Sequence, residues 1–310
     1  MKEDEEMKVS QMALVCGLAL TTLCTSAKGK AEPFPSGYTK RQAGDIDIWP
    51  AEQIPDLQKN QCKPWIRWYL PKEKKSDACL IVCPGGAYNG WGHVCEGEEI
   101  CAWANSVGMT AVLFRYRTPR PITLKKHVTA WQDAQRTIRI VRNEAKRKGF
   151  DPEKIGFIGF SAGGHLTLMS ALSSQTPAYK PIDEIDKLPC HLNWAVPVYP
   201  AYVLSDGVDG PNKGKGNDLN LTINPEFKFD LKTPPMIFFH GDNDVYSAMG
   251  TLRVYNRLRK LNISGEVHIL ADRGHCFHFY PRPKAGTFSA KWLDTLESWL
   301  ILKGILPGTK

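Results

Sequence analysis

No two cysteines in the chain are spaced C-x-x-C, no stretch repeats itself, and no Lys/Arg-rich run is interleaved with aromatic residues. The first absence argues against a zinc ribbon or finger. The second argues against a solenoid or propeller, and the third against a nucleic-acid-binding surface. Acidic residues are in modest deficit, 40 Lys and Arg against 32 Asp and Glu, so the net charge is +8. The basic residues are scattered along the chain and exert at most a weak pull on acidic polymers. Long apolar runs are also wanting. The stretch "MALVCGLALTTLCTSA", Met12 to Ala27, is too short to span a bilayer comfortably, so no stable membrane insertion is expected.

That stretch has signal-peptide length, and the small residues Thr25, Ser26 and Ala27 place a cleavage site before Lys28. The opening "MKEDEE" is too acidic for such a signal, whereas a start at Met7 gives the positive "MKVSQ". Cys16 and Cys24 lack the small residues that precede a lipid-anchored cysteine. The expectation is a secreted or periplasmic protein. Residues 1–27 carry two lysines against four carboxylates, so their removal raises the net charge from +8 to +10. Of the nine cysteines, seven lie beyond this segment, an odd number that cannot all pair within one chain. They read as small buried hydrophobes, although export would permit a disulfide.

What remains has an ordinary globular composition, 42% hydrophobic and 23% charged. Short apolar runs alternate with amphipathic stretches. "PWIRWYLP" (64–71), "ACLIVCP" (78–84), "MTAVLFRYR" (109–117), "KIGFIGF" (154–160), "WAVPVYP" (194–200), "PMIFFHG" (235–241) and "GEVHILA" (265–271) read as strands. Residues 96–108, 127–150, 162 onward, 251–262 and 288–304 read as helices. Such alternation predicts an α/β fold: a mostly parallel sheet with helices on both faces, joined by right-handed crossovers. Residues 28–310 are expected to form one domain, with the Pro-rich stretch to about Lys63 wrapping its surface. The polar segment 205–235, rich in Gly, Asn and Lys, reads equally as a surface insertion or a substrate-facing flap.

The chemistry concentrates where strands end. In "GFIGFSAGGH", Gly159-Phe160-Ser161-Ala162-Gly163 stands between a strand and a helix. A serine on so sharp a turn projects its hydroxyl out of the sheet, with a helix N-terminus behind it that favours developing negative charge. A serine needs a base, and the base an orienting acid; in this arrangement the acid and then the histidine follow the serine in the chain. "HGDNDVYS" offers Asp242 and Asp244, of which Asp244 is favoured because it lies past the turn. "ADRGHCFHF" offers His275 and His278, of which His275 is favoured because it follows Gly274 at a strand's carboxyl end. His240 and His165 read as structural. Oxyanion donors are expected at the backbone of Ala162 and, in "CPGGAYNGW", of Gly86 and Ala87. Tyr88, Asn89 and Trp91 follow that loop and are candidates for stacking on or bonding a sugar, with ordinary packing the competing role for Trp91.

With these residues in view, the chain resembles the α/β-hydrolase family, and within it the secreted bacterial acetylxylan-esterase-like carbohydrate esterases. The resemblance runs from about residue 45 to 303 through "DIDIWPAEQIP", "VCPGGAYNGW", "FRYRTPRP", "QDAQRTIRIVR", "IGFIGFSAGGHL", "TPPMIFFHGDNDVYS" and "RGHCFHFY". It implies Ser161 as nucleophile, Asp244 as acid and His275 as base. Gly85, Gly86 and Ala87 correspond to the family's HGGG-type loop, with Pro84 in place of its histidine and Ala87 in place of its last glycine. The implied reaction is hydrolysis of an acyl ester on carbohydrate, acetyl in the simplest case and feruloyl as the alternative, with no metal or cofactor. Two rivals stand beside it. A serine peptidase of the prolyl-oligopeptidase type shares the residue order, but such enzymes usually carry a large N-terminal propeller. A secreted carbohydrate-binding protein that kept the fold without turnover is the non-enzymatic reading.

Overall fold

The computed structural model describes residues 40–205, 221–271, 273–279 and 283–308. The segment expected to be an export signal lies outside them, as does the first half of the 205–235 segment. Residues Gln42–Lys310 form one compact unit. Its strands are β1 (Ile46–Asp47), β2 (Trp65–Tyr69), β3 (Cys79–Cys83), β4 (Thr110–Arg115), β5 (Ile155–Phe160), β6 (Trp194–Val198), β7 (Met236–Gly241) and β8 (Gly265–Leu270). Its helices are α1 (Glu98–Ser106), α2 (Val128–Lys148), α3 (Ala162–Leu172), α4 (Met249–Lys260) and α5 (Trp292–Leu302).

The eight strands form one sheet in the order β1-β2-β4-β3-β5-β6-β7-β8. β2 pairs antiparallel with both β1 and β4, and the remaining pairs are parallel. This is the α/β-hydrolase fold. The central strands read "CLIVC", "TAVLFR" and "IGFIGF" and are buried at every position, because helices cover both faces and leave no side for alternating polar residues. On one face Ile81, Phe114 and Phe157 pack with Ala134, Ile138 and Val141 of α2 and Leu166 and Met169 of α3. On the other, Leu80, Leu113 and Ile158 pack with Ile100 and Ala104 of α1 and Trp292, Leu296 and Trp299 of α5. α2 ends at Gly149, whose φ of 76° lets the chain turn back, and Lys146, Arg147 and Lys148 meet the negative end of its dipole.

One expectation needs correcting. The stretch before Lys63 does not merely wrap the surface. It adds strand β1, then buries Ile48 and Trp49, with the Trp49 indole donating to Asp133 Oδ1 at 2.7 Å. The described half of the 205–235 segment is anchored, which is compatible with either role expected of it. Leu204 bridges to Ile223, the Asn224 amide donates to the carbonyls of Tyr202 and Leu204, and Phe227 is buried. The Asp230 carboxylate accepts from Ser174 and Gln175 just past α3. No helix among the described residues is long and apolar enough to cross a membrane.

Candidate active site

Parallel strands deliver their carboxyl ends to one edge of the sheet, and the candidate residues collect there. Ser161 stands between the last residue of β5 and the first of α3, at φ 53° and ψ −116°. That region is costly for any residue with a Cβ and persists only where the surroundings enforce it. The glycines beside Ser161 make the turn feasible. A Cβ on Gly159 would sit 2.2 Å from the Gly163 carbonyl oxygen, and one on Gly163 would sit 2.2 Å from that of Cys83. Strand and helix therefore close only with glycine at both places.

His275 reaches this serine from the loop after β8. Its Nε2 is 2.8 Å from Ser161 Oγ, and its Nδ1 is 2.9 Å from each oxygen of Asp244. The bonds are satisfied together when Nδ1 carries the proton and donates to the carboxylate while the serine hydroxyl donates to Nε2. The Asp244 side chain, in the loop after β7, is sealed from solvent and also accepts the Tyr246 N–H at 2.8 Å. Burial works against its charge. The charge of His275 and hydrogen bonds from His240 and His275 outweigh that and bring its carboxyl down to about 2. Burial likewise works against a charged His275, yet the charge and hydrogen bond of Asp244, with Glu96 further off, raise its pKa.

The structure thus brings Ser161, His275 and Asp244 together, and places the alternatives elsewhere. Asp242 is exposed. His278 is packed among Phe160, Tyr199 and Trp292, where burial pushes its pKa down to about 3. His240 is fully buried behind Asp244, its Nε2 on the Tyr246 carbonyl at 2.8 Å and 3.4 Å from Asp244 Oδ2.

The loop holding Gly86 and Ala87 abuts the serine: a Cβ on Gly85 would come within 3.0 Å of Ser161 Cβ. Three successive positive φ angles, 115° at Gly86, 54° at Ala87 and 61° at Tyr88, bend it into a curl closed by Asn89 and Gly90 donating to the Gly86 carbonyl. Backbone N–H groups of such a curl form a concavity for an anion. Ala162, first residue of α3, presents the helix N-terminus to the same side.

The side chains after this loop do not all face a ligand. Tyr88 is completely buried and its hydroxyl lies 2.8 Å from His165 Nδ1, so it braces the loop from beneath instead of meeting a sugar. Trp91 donates its indole N–H to the Tyr116 carbonyl and packs against Trp65 and the Arg115 guanidinium, which makes it a packing residue. Asn89 is the exposed member of the three, its side-chain oxygen accepting from Arg120.

Sequence reasoning missed Glu96. Its buried carboxylate accepts the Gly85 N–H at 2.8 Å and the Tyr199 hydroxyl at 2.8 Å, and burial raises its pKa. The Tyr116 hydroxyl pins the same loop through the carbonyls of Pro84 and Gly85. In "CEGEE" Glu96 looks like one more acidic residue of a helix start; only its burial marks it out.

A serine in a strained strand-to-helix turn, bonded to a histidine that is bonded to a buried aspartate, thus stands at the rim of a sheet with the α/β-hydrolase fold. Residues 67–196 match the BD-FAE family model. The chain is similar to an acetylxylan esterase of Xylanibacter ruminicola, 33% identical over 109 residues, covering 35% of this chain and 21% of that protein. It is also similar to the esterase LipQ of Mycobacterium tuberculosis, 25% identical over 234 residues, covering 68% of this chain and 51% of LipQ. The matches thus span between about a fifth and half of these relatives. Among solved structures, an acetyl ester-xyloside bifunctional hydrolase from Caldicellulosiruptor lactoaceticus superposes with a TM-score of 0.71 at 26% identity, covering 89% of this chain and 100% of that one. Esterase 2 of Thermogutta terrifontis shares the fold, with a TM-score of 0.67 at 22% identity over 88% of this chain and 99% of that one.

Proposed function

We propose that the protein is a serine esterase that removes acyl groups, acetyl foremost, from carbohydrate esters through a covalent acyl-enzyme. The observation that carries this reading is the unbroken hydrogen-bonded line from Ser161 Oγ through the His275 ring to the Asp244 carboxylate. In the first half-reaction Ser161 Oγ attacks the ester carbonyl while His275 Nε2 takes the hydroxyl proton. Asp244 holds the ring in the productive tautomer and stabilises the imidazolium. The negative charge that develops on the carbonyl oxygen falls to the N–H groups of Ala162, Gly86 and Ala87; loss of one such donor costs about 3 kcal/mol of transition-state stabilisation. The imidazolium then protonates the departing sugar hydroxyl. Water, deprotonated by His275, repeats the attack on the acyl-serine and releases the acid. All of these roles are filled by the protein's own groups.

A carbohydrate substrate is favoured by the likeness to an acetylxylan esterase and an acetyl ester-xyloside hydrolase. Asn89 and Arg120, linked at the loop's exposed end, are the side chains we assign to the sugar side. Export through Met12–Ala27 fits a polymeric substrate outside the cell. The test is an activity panel of acetylated xylan, acetylated monosaccharides, methyl ferulate and p-nitrophenyl esters of increasing length, run beside fluorophosphonate labelling. Ser161→Ala is expected to abolish labelling and lower turnover about 10⁶-fold with the fold intact. Labelling that persists in this variant, or a peptide amide cleaved faster than every ester, overturns the reading.

A further inference from the structure

Away from the Ser161 hydroxyl, three polar side chains that the esterase chemistry leaves unused converge. His165 lies one turn into α3, His127 directly precedes α2, and Glu226 comes from the anchored half of the 205–235 segment. His127 Nδ1 lies 3.9 Å and His165 Nε2 3.7 Å from Glu226 Oε1. These separations are too long for hydrogen bonds. Both nitrogens are nonetheless sealed from solvent with no hydrogen-bond partner, on residues only 4% and 0% exposed. Two buried nitrogens that face one carboxylate oxygen without touching it are costly to keep unless something occupies the space between.

We propose that His127, His165 and Glu226 form a structural binding site for a divalent transition-metal ion, zinc foremost. One ligand atom from each residue lies within 4.8 Å of the other two. Three atoms no more than 4.8 Å apart leave a point within about 2.8 Å of all of them. Zinc bonds to imidazole and carboxylate are about 2.0–2.2 Å, so side-chain shifts of less than about 1 Å complete the site, with a fourth position for water. Two imidazoles and one carboxylate suit zinc; magnesium and calcium prefer oxygen alone. The outer contacts agree. With the ion on Nε2, His165 Nδ1 carries a proton and donates to the Tyr88 hydroxyl 2.8 Å away, a bond that fixes tautomer and ring orientation. Tyr202 and Phe227 set their rings against His165 and shield it from water. The absence of C-x-x-C argues against a zinc ribbon or finger and has no bearing on this donor set. The ion would tie α3, the start of α2 and the 205–235 segment together, and through Tyr88 would stiffen the curl beside Ser161.

The test uses the full chain without a histidine tag, stripped with EDTA, exposed to zinc alone and desalted. The expected result is one zinc per chain by plasma mass spectrometry and a melting temperature raised by several degrees. His127→Ala and Glu226→Ala should lose both effects, and Ser161→Ala should keep both. Should those variants not fold, zinc K-edge X-ray absorption on the wild-type chain decides. Two imidazole nitrogens and a carboxylate oxygen support the site, and a thiolate or all-oxygen shell overturns it. A wild-type chain that leaves desalting without zinc, or folded variants that keep it, also overturns the proposal. Neither outcome touches the esterase reading, because labelling of Ser161 is measured independently.

Discussion

Ser161 adopts a backbone conformation that its own side chain does not favour, and the neighbouring glycines let the fold impose it. Its partner His275 is tuned in the opposite direction from most buried histidines, because Asp244 favours the charged ring. A base must be neutral to accept the serine proton. Activity should therefore fall as pH drops through the His275 pKa, with the midpoint of kcat/KM above the ordinary 6.5. Asp244→Asn removes the raising charge, so the limb should move to lower pH while kcat drops about 10⁴-fold. Asp242→Asn should leave both unchanged. A pH profile on p-nitrophenyl acetate measures this, and an unmoved limb in Asp244→Asn would refute the assigned acid. At this scale the motif makes Ser161 legible in the sequence and the chain order narrows its partners to Asp242 or Asp244 and His275 or His278, between which packing chooses. Tyr88 and Trp91 mislead, since an aromatic residue next to a binding loop looks the same in sequence whether it faces a ligand or the core. Glu96 is invisible for the converse reason: its burial depends on Tyr199, 103 residues away.

At the scale of elements, "QDAQRTIRIVR" in α2 is a buried polar network rather than an exposed helix face. Asp133 accepts from the Arg117 guanidinium at 2.9 and 3.0 Å, from the Arg117 N–H at 2.8 Å and from the Trp49 indole at 2.7 Å. Arg117 also donates to the Thr129 carbonyl and to Gln132 Oε1. One carboxylate thus joins the end of β4, helix α2 and the arm that follows β1. Removing it strands a buried guanidinium, so Asp133→Ala is expected to cost about 3–5 kcal/mol in urea denaturation. A loss below about 1 kcal/mol would show that the network contributes little. The helix is readable from the spacing of Ala134, Ile138 and Val141, whereas its polar residues take their meaning from segments distant in the chain.

For the whole molecule, the seven described cysteines are free thiols: Cys79, Cys83, Cys101 and Cys190 are buried, and Cys62, Cys95 and Cys276 are half-buried. Burial raises the pKa of Cys79 far above the usual thiol range, which leaves it unreactive. Cohesion comes instead from two apolar layers, one on each side of the sheet. The chain from Lys28 onward, purified under oxidising conditions, should therefore show seven titratable thiols when denatured, and a melting temperature unaffected by reductant. Fewer thiols, or a lower melting temperature with reductant, would reveal a disulfide.

Strands β2 to β8, the helices and the serine turn follow from the amino-acid order alone. They are set by local periodicity and by the small residues that sharp turns require, both of which can be read within a dozen positions. Which aspartate and which histidine meet Ser161, which carboxylate holds the oxyanion-type loop, and that His127, His165 and Glu226 face one another were fixed only when the chain packed. Those contacts join residues up to 114 apart, and their geometry comes from how helices pack on a twisted sheet, which no local pattern encodes.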